Sequence, residues 1–178
     1  MQPLTFATAR GPVVLREGIP ADALKFRDLR LQALQDAPTA FSADYQTNLA
    51  QPLSFWENRL AFDEDGVIFF AEQAGELVGM TGIRRRASPK TQHGADVLSV
   101  YVRPEWRGLR IAEALIERCV AWSRLRKVTI LKLGVMADNA AAIRCYERCG
   151  FKVYGTEPRD IFLEGQYYDL HLMYRELA

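Results

Sequence analysis

The sequence predicts an α/β protein, a mixed, mostly antiparallel sheet covered by helices on both faces. Three observations predict it. Apolar residues switch between strand and helical spacing in the order β-α-α-β-β-β-α-β-α-β-β. Two of the strand-like runs are almost wholly apolar, as central strands of a covered sheet are. Finally, a compact chain of 178 residues buries about 70% of the surface it exposes when unfolded, enough for a core without disulfides or metals.

Each element follows from local signals. Residues 1–11 carry no periodic signal and are expected to be a loose leader to one domain spanning 1–178. Pro12–Arg16 is a short first strand. Leu24, Phe26, Leu31 and Leu34 recur at helical spacing, which predicts a helix over 21–36 that ends before Pro38. Pro52 opens a second helix through Trp56 and Leu60, with Ser54 as an alternative cap. The stretch Pro38–Gln51 between them is irregular or briefly helical. Val67–Gln73 and Leu77–Arg86 alternate as strands and join through Ala74-Gly75-Glu76, a hairpin signal. Ala95–Val102 and Thr129–Met136 are the apolar central strands. Between them lie a turn, Arg103–Arg110, and a helix, Ile111–Leu125, whose Ile111, Leu115, Cys119 and Trp122 share one face. Asn139 caps a helix that runs to Cys149 and stops at Gly150. Phe151–Gly155 and Gln166–Tyr174 are the last strands.

Composition narrows the function. Twenty-three basic against 22 acidic residues leave a net charge of +1, which argues against a nucleic-acid binder working by bulk charge. Cys119, Cys145 and Cys149 are too few and too odd for a secreted disulfide scaffold. Neither His93 nor His171 stands at ligand spacing from a cysteine, so no metal site is expected. No run reads as a signal peptide or is long enough to cross a bilayer, and a cytoplasmic protein without a membrane partner is expected.

Chemistry concentrates in two stretches. In Val100-Tyr101-Val102-Arg103-Pro104-Glu105-Trp106-Arg107-Gly108-Leu109-Arg110-Ile111-Ala112, an apolar strand enters a basic loop that opens directly into a helix. Unpaired amides and the positive end of the helix dipole converge there, as in phosphate sites. Arg103, Arg107 and Arg110 add charged donors. The spacing is neither a Walker A nor a dinucleotide fingerprint. Read alone, the loop is equally a plain turn with solvated arginines. The second stretch, Asn139 to Phe151, begins just past the next apolar strand.

Together these stretches resemble the GNAT (N-acetyltransferase) superfamily. Arg107-Gly108-Leu109-Arg110-Ile111-Ala112 is similar to its pyrophosphate loop, Arg/Gln-x-x-Gly-x-Gly/Ala. Asn139, Ala142, Tyr146 and Gly150-Phe151 match its Asn-x-x-Ala-x-x-x-Tyr-x-x-x-Gly-Phe signature. Arg110 departs from the pattern, standing where the family has a glycine; with a negative φ it would keep its amide donor and could add a phosphate contact. The resemblance implies a GNAT fold with a splayed strand pair and acetyl-CoA as co-substrate. It assigns Val100, Tyr101 and Val102 to the pantetheine arm, Arg107, Gly108, Leu109, Arg110, Ile111 and Ala112 to the pyrophosphate, and Asn139 to the cofactor arm.

Tyr146 is then the acid that protonates the departing thiolate, or else an aromatic packing its helix on the sheet. Asp96 is the nearest match to the acid that many members place on the fourth strand, and equally a solvated strand-end residue. Asp169 and His171, on one face of the last strand, are the other candidates for a base. Phe41, Tyr45, Phe55 and Trp56 fall in the region that walls the acceptor in the family, and packing uses the same residue types. The implied reaction is direct acetyl transfer to a primary amine of a small molecule or peptide, without a covalent enzyme intermediate. A non-catalytic acyl-CoA sensor or an interaction module on this scaffold is the alternative. A homodimer through the last strands is a further expectation of the resemblance.

Overall fold

The computed structural model describes residues 1–61 and 63–177. The strands are β1 (Leu4–Thr8), β2 (Gly11–Glu17), β3 (Gly66–Gln73), β4 (Glu76–Arg85), β5 (Gly94–Val102), β6 (Ile130–Met136), β7 (Lys152–Leu163) and β8 (Gln166–Glu176). The helices are α1 (Ala23–Asp36), α2 (Tyr45–Leu49), α3 (Leu53–Leu60), α4 (Ile111–Leu125) and α5 (Ala140–Arg148). The strands form one sheet in the order β1-β2-β3-β4-β5-β6-β8-β7. Its pairs are antiparallel except β5 with β6.

Alternation along the strands divides the core in two. Phe69, Ala71, Val78, Ala95 and Val97 point to one face, where α4 and α5 cover them. Phe70, Leu77, Met80 and Tyr101 point to the other, beneath α1 and α3. The expected stripe of α4 is buried as read, with Leu115 and Cys119 fully enclosed. Asn139 caps α5 through its side chain, which accepts a hydrogen bond from the Ala142 amide at 3.0 Å.

Two expectations are corrected. The first residues are not a loose leader: Leu4–Thr8 pairs with β2 from Leu4 opposite Leu15 to Thr8 opposite Gly11. A turn at Ala9-Arg10 closes this hairpin, and Gly11 supplies the positive φ (+102°) the return needs. The strand left little trace in the sequence because Phe6 alone packs on the core, and an edge strand needs no more. The seventh strand does not stop at Gly155 but continues to Leu163. Its residues are mostly exposed and its register shifts between Glu157 and Ile161, so no regular apolar alternation marks it.

The sheet opens at its centre. β5 and β6 pair only from Gly94–Ile130 to Asp96–Lys132. β6 stays bound to β8 as far as Met136 opposite Leu170, and β5 to β4 as far as Val102 opposite Gly79. The two strands therefore diverge, each held by its outer neighbour. A β-bulge marks the divergence on β5: Met80 opposes Tyr101 while Gly82 opposes Leu98, and Ser99 has φ +56°. A bulge bends the strand that carries it. Among the described residues, no helix is long and apolar enough to cross a membrane.

Candidate functional site

The opening between β5 and β6 is the floor of a cleft of about 640 Å³. Val100, Tyr101 and Val102 form one wall, Arg107, Gly108, Arg110, Ile111 and Ala112 one end, and Asn139, Cys145 and Tyr146 the facing wall, whereas Leu109, expected at the pyrophosphate, is not among the cleft residues and packs on the core. Ala37, Ala40 and Phe41 close the other end. The unpaired backbone edge of β5 thus runs along the cleft, able to pair with an extended ligand as with a further strand.

At the loop end, the amides from Gly108 to Ala112 bond to no described acceptor. They crown the N-terminus of the fifteen-residue helix α4, so donors and dipole both favour an anion there. Gly108 has φ +77° and open space where a Cβ would stand, leaving its backbone bare toward the cleft. Arg110 does not meet the condition of a negative φ. Its φ is +60°, ψ +21°, in the left-handed region that glycine occupies without strain. The arginine adopts the backbone geometry of the glycine it replaces, and its exposed side chain borders the cleft. Arg107 turns back instead: its Nε donates to the Val102 carbonyl at 3.0 Å, bracing the end of β5. Arg103 is not among the cleft residues.

On the facing wall, the Asn139 oxygen is used in capping α5, while its amide nitrogen donates to no described residue. Tyr146 is 8% exposed, packs edge-on to Phe151 with ring centroids 6.3 Å apart, and reaches the cleft. Burial, with Cys145 and Cys149 beside it, raises its phenol above the usual tyrosine range. The group therefore holds its proton at neutral pH, the state a proton donor needs. The neighbouring Cys149 thiol together with burial pushes the Cys145 thiol up, so that it keeps its proton.

The structure does not bring Asp96 to the cleft. Asp96 lies beyond the bulge, about 15 Å along β5 from Tyr101, and is paired with Arg86 at 2.7 Å. Arg84 and Arg85 are likewise paired, with Asp63 and Asp65. Asp169 and His171 are also absent from the walls; Asp169 accepts from the Arg159 amide and His171 is bonded to Thr156. A different carboxylate, Asp36, stands next to the Ala37–Phe41 end of the cleft and bonds to one of its wall residues. The Tyr101 hydroxyl donates to Asp36 Oδ2 at 2.5 Å, and burial together with that carboxylate keeps the Tyr101 phenol firmly protonated. Sequence reasoning missed Asp36, and also Arg144 and the Glu113–Arg148 pair on the cleft wall. Asp36 had a signal, an acid at the very end of a helix, where the dipole disfavours it.

A strand edge splayed open beside a helix terminus with free amides, with a protonated phenol opposite, is an arrangement suited to a long phosphorylated ligand. The family model described as the acetyltransferase (GNAT) family matches residues 30–151, and the chain belongs to that family. It is 34% identical over 125 residues to the L-amino acid N-acetyltransferase AaaT of Escherichia coli K12, covering 67% of this chain and 74% of that one. It is 39% identical over 107 residues to the mycothiol acetyltransferase of Acidothermus cellulolyticus, covering 54% of this chain but 32% of that longer protein. The structure of yncA from Salmonella typhimurium with its cofactor acetyl-CoA superimposes with a TM-score of 0.77 at 22% identity, over 93% of this chain and 94% of that one. The protein is thus an acetyltransferase of the GNAT family, like the N-acetyltransferases it resembles.

Proposed function

We propose that residues 1–178 form one domain that transfers acetyl from acetyl-CoA directly to a primary amine of a small molecule or peptide, in the cytoplasm. The observation that carries this reading is the unpaired β5 edge running from the free amides of the α4 terminus to Tyr146. Gly108–Ala112 hold the pyrophosphate, with the Arg110 guanidinium alongside. Val100–Val102 pair with the pantetheine arm, and the Asn139 amide donates to it from the other wall. Three free, buried cysteines suit a reducing compartment.

The amine enters past Phe41 and attacks the thioester carbonyl. The C–N bond forms, the C–S bond breaks, the thiolate takes the Tyr146 proton, and the proton shed by the newly acylated nitrogen returns through solvent to the Tyr146 oxygen, so no charge is left on sulfur, nitrogen or phenol. The raised phenol makes Tyr146 a weaker acid than an exposed tyrosine, and its value lies in a fixed, desolvated hydrogen bond to the sulfur. An alkylammonium near pKa 10.4 must lose a proton before it attacks. Tyr101 and Asp36 offer a route: the hydroxyl oxygen accepts the amine proton while its own proton passes to Asp36. Asp36 is exposed and returns that proton to water.

The test is release of coenzyme A thiol from acetyl-CoA across a panel of amines, by the wild type and Tyr146→Phe. The variant is expected to lose about 10²- to 10³-fold in kcat while binding acetyl-CoA as before. Equal turnover by the two proteins would remove Tyr146 from the mechanism.

A further inference from the structure

The helical layer over the acceptor end contains a charge without a partner. Arg30, in the middle of α1, is 5% exposed, and its Nε and Nη1 are buried with no hydrogen-bond partner among the described residues. No described carboxylate pairs with it. Its guanidinium lies over the ring of Phe41, 4.3 Å from the centroid, and Phe41 is the cleft residue past which the amine enters. α3 adds two more donors. Arg59 lies over Phe26 and Phe55 at 5.5 and 5.6 Å. Trp56, packed edge-on against Phe26, buries an indole N–H that finds no described acceptor.

Arg30 is thus a buried cation with unmet donors, and the solvent-exposed Arg59 adds positive field to it from α3, with no described anion paired to either. Burial first and the Arg59 charge second pull Arg30 down to about 10, so it is still charged at neutral pH. Leaving such an ion uncompensated is among the most expensive arrangements in a protein interior. Stacking on Phe41 offsets only part of that penalty. A planar guanidinium with free donors is suited to a carboxylate, which accepts two parallel hydrogen bonds from it.

Building on the acceptor end assigned above, we propose that the seam behind Phe41 is a subsite for a carboxylate carried by the acceptor. Arg30 is its principal ligand, Arg59 supplies further positive field, and Phe41 is the gate between subsite and cleft. The acceptor class is then amino acids and other amines bearing a carboxylate. Polyamines are disfavoured, because they would bring positive charge against Arg30 and Arg59.

The experiment compares L-amino acids with their carboxamides as acceptors, side chain by side chain, by coenzyme A release. It uses the wild type, Arg30→Met and Arg30→Lys. The wild type is expected to favour acids over amides by about 30- to 100-fold in kcat/KM, the effect of one charge-assisted pair. Arg30→Met should abolish that preference, and Arg30→Lys should retain only part of it because the fork is lost. Thermal scans with N-acetyl-L-amino acids and their amides supply a second readout independent of turnover: the acids should raise the wild-type melting temperature and leave that of Arg30→Met unchanged. Acids and amides used equally, or a preference that survives in folded Arg30→Met, would overturn the subsite while leaving acetyl transfer intact. Failure of acetyl-CoA to bind would count against the cleft reading instead, and the scans would still decide the subsite.

Discussion

Replacing Arg110 by glycine should separate stability from binding. At φ +60° the arginine Cβ crowds its own backbone, a penalty of about 1–2 kcal/mol for a residue other than glycine. Glycine removes that penalty but loses about 0.5–1 kcal/mol through the greater freedom of the unfolded chain. The net gain is about 0.5–1 kcal/mol, or a rise of about 2 °C in melting temperature for a chain of this size. The same change deletes an exposed guanidinium bordering the pyrophosphate end of the cleft. A solvated charge-to-phosphate contact is worth about 1 kcal/mol, so acetyl-CoA affinity should fall about fivefold. Raising the salt concentration should narrow that gap, since the contact is screened. Thermal unfolding and isothermal titration on one preparation read both quantities. A lower melting temperature would refute the left-handed assignment. Tighter acetyl-CoA binding would show that the guanidinium obstructs the cradle instead of serving it.

Other consequences concern α5 and the α1 entrance. Asn139→Ala removes both the α5 cap and the amide donor on the cleft wall, so it should weaken acetyl-CoA binding and cost about 1 kcal/mol of stability in denaturant titration. At the start of α1, Asp22 receives paired hydrogen bonds from Arg16 at 2.7 and 2.8 Å. Burial pushes the Asp22 carboxyl up, but the Arg16 and Ile19 hydrogen bonds outweigh it and hold the group below its ordinary value. A depressed carboxyl contributes stability that is complete above its unfolded pKa near 3.9 and is lost as pH falls through the folded value. Asp22→Asn should therefore destabilise the protein by about 2 kcal/mol at pH 7, and the two proteins should converge in chemical stability as the pH drops below 4.

Elements with a periodic signal were legible in the sequence, and those held by partners were not. The Ile111–Leu125 helix is observed with those bounds because a continuous apolar stripe and a basic turn before it define both ends. Leu4–Thr8 and the outer half of β7 escaped notice because a strand paired at an edge or in a free hairpin presents few core residues. The position of Gly108, Asn139 and Tyr146 on the cleft was legible because each belongs to a short stretch whose members stay together when the chain folds. Asp96 misled because it shares a strand with Tyr101 yet lies past the bulge, at the closed end of the sheet. Asp36 and Arg30 could not be found from spacing: Asp36 meets Tyr101 across 65 residues, and the solitude of Arg30 is a property of the packed helices, not of their order.

The central claim is that acetyl-CoA occupies the opening between β5 and β6. A thermal-shift titration with acetyl-CoA, coenzyme A and ATP in parallel tests it most directly, alongside Gly108→Val, which puts a branched side chain at φ +77° where the bare backbone faces the cleft. Acetyl-CoA and coenzyme A at about 100 times their dissociation constants should each stabilise the wild type by about 2.7 kcal/mol. ATP, lacking the pantetheine arm that pairs with β5, should give little, and Gly108→Val should lose most of the coenzyme A effect. No shift with either coenzyme A species, or an undiminished shift in folded Gly108→Val, would contradict the account.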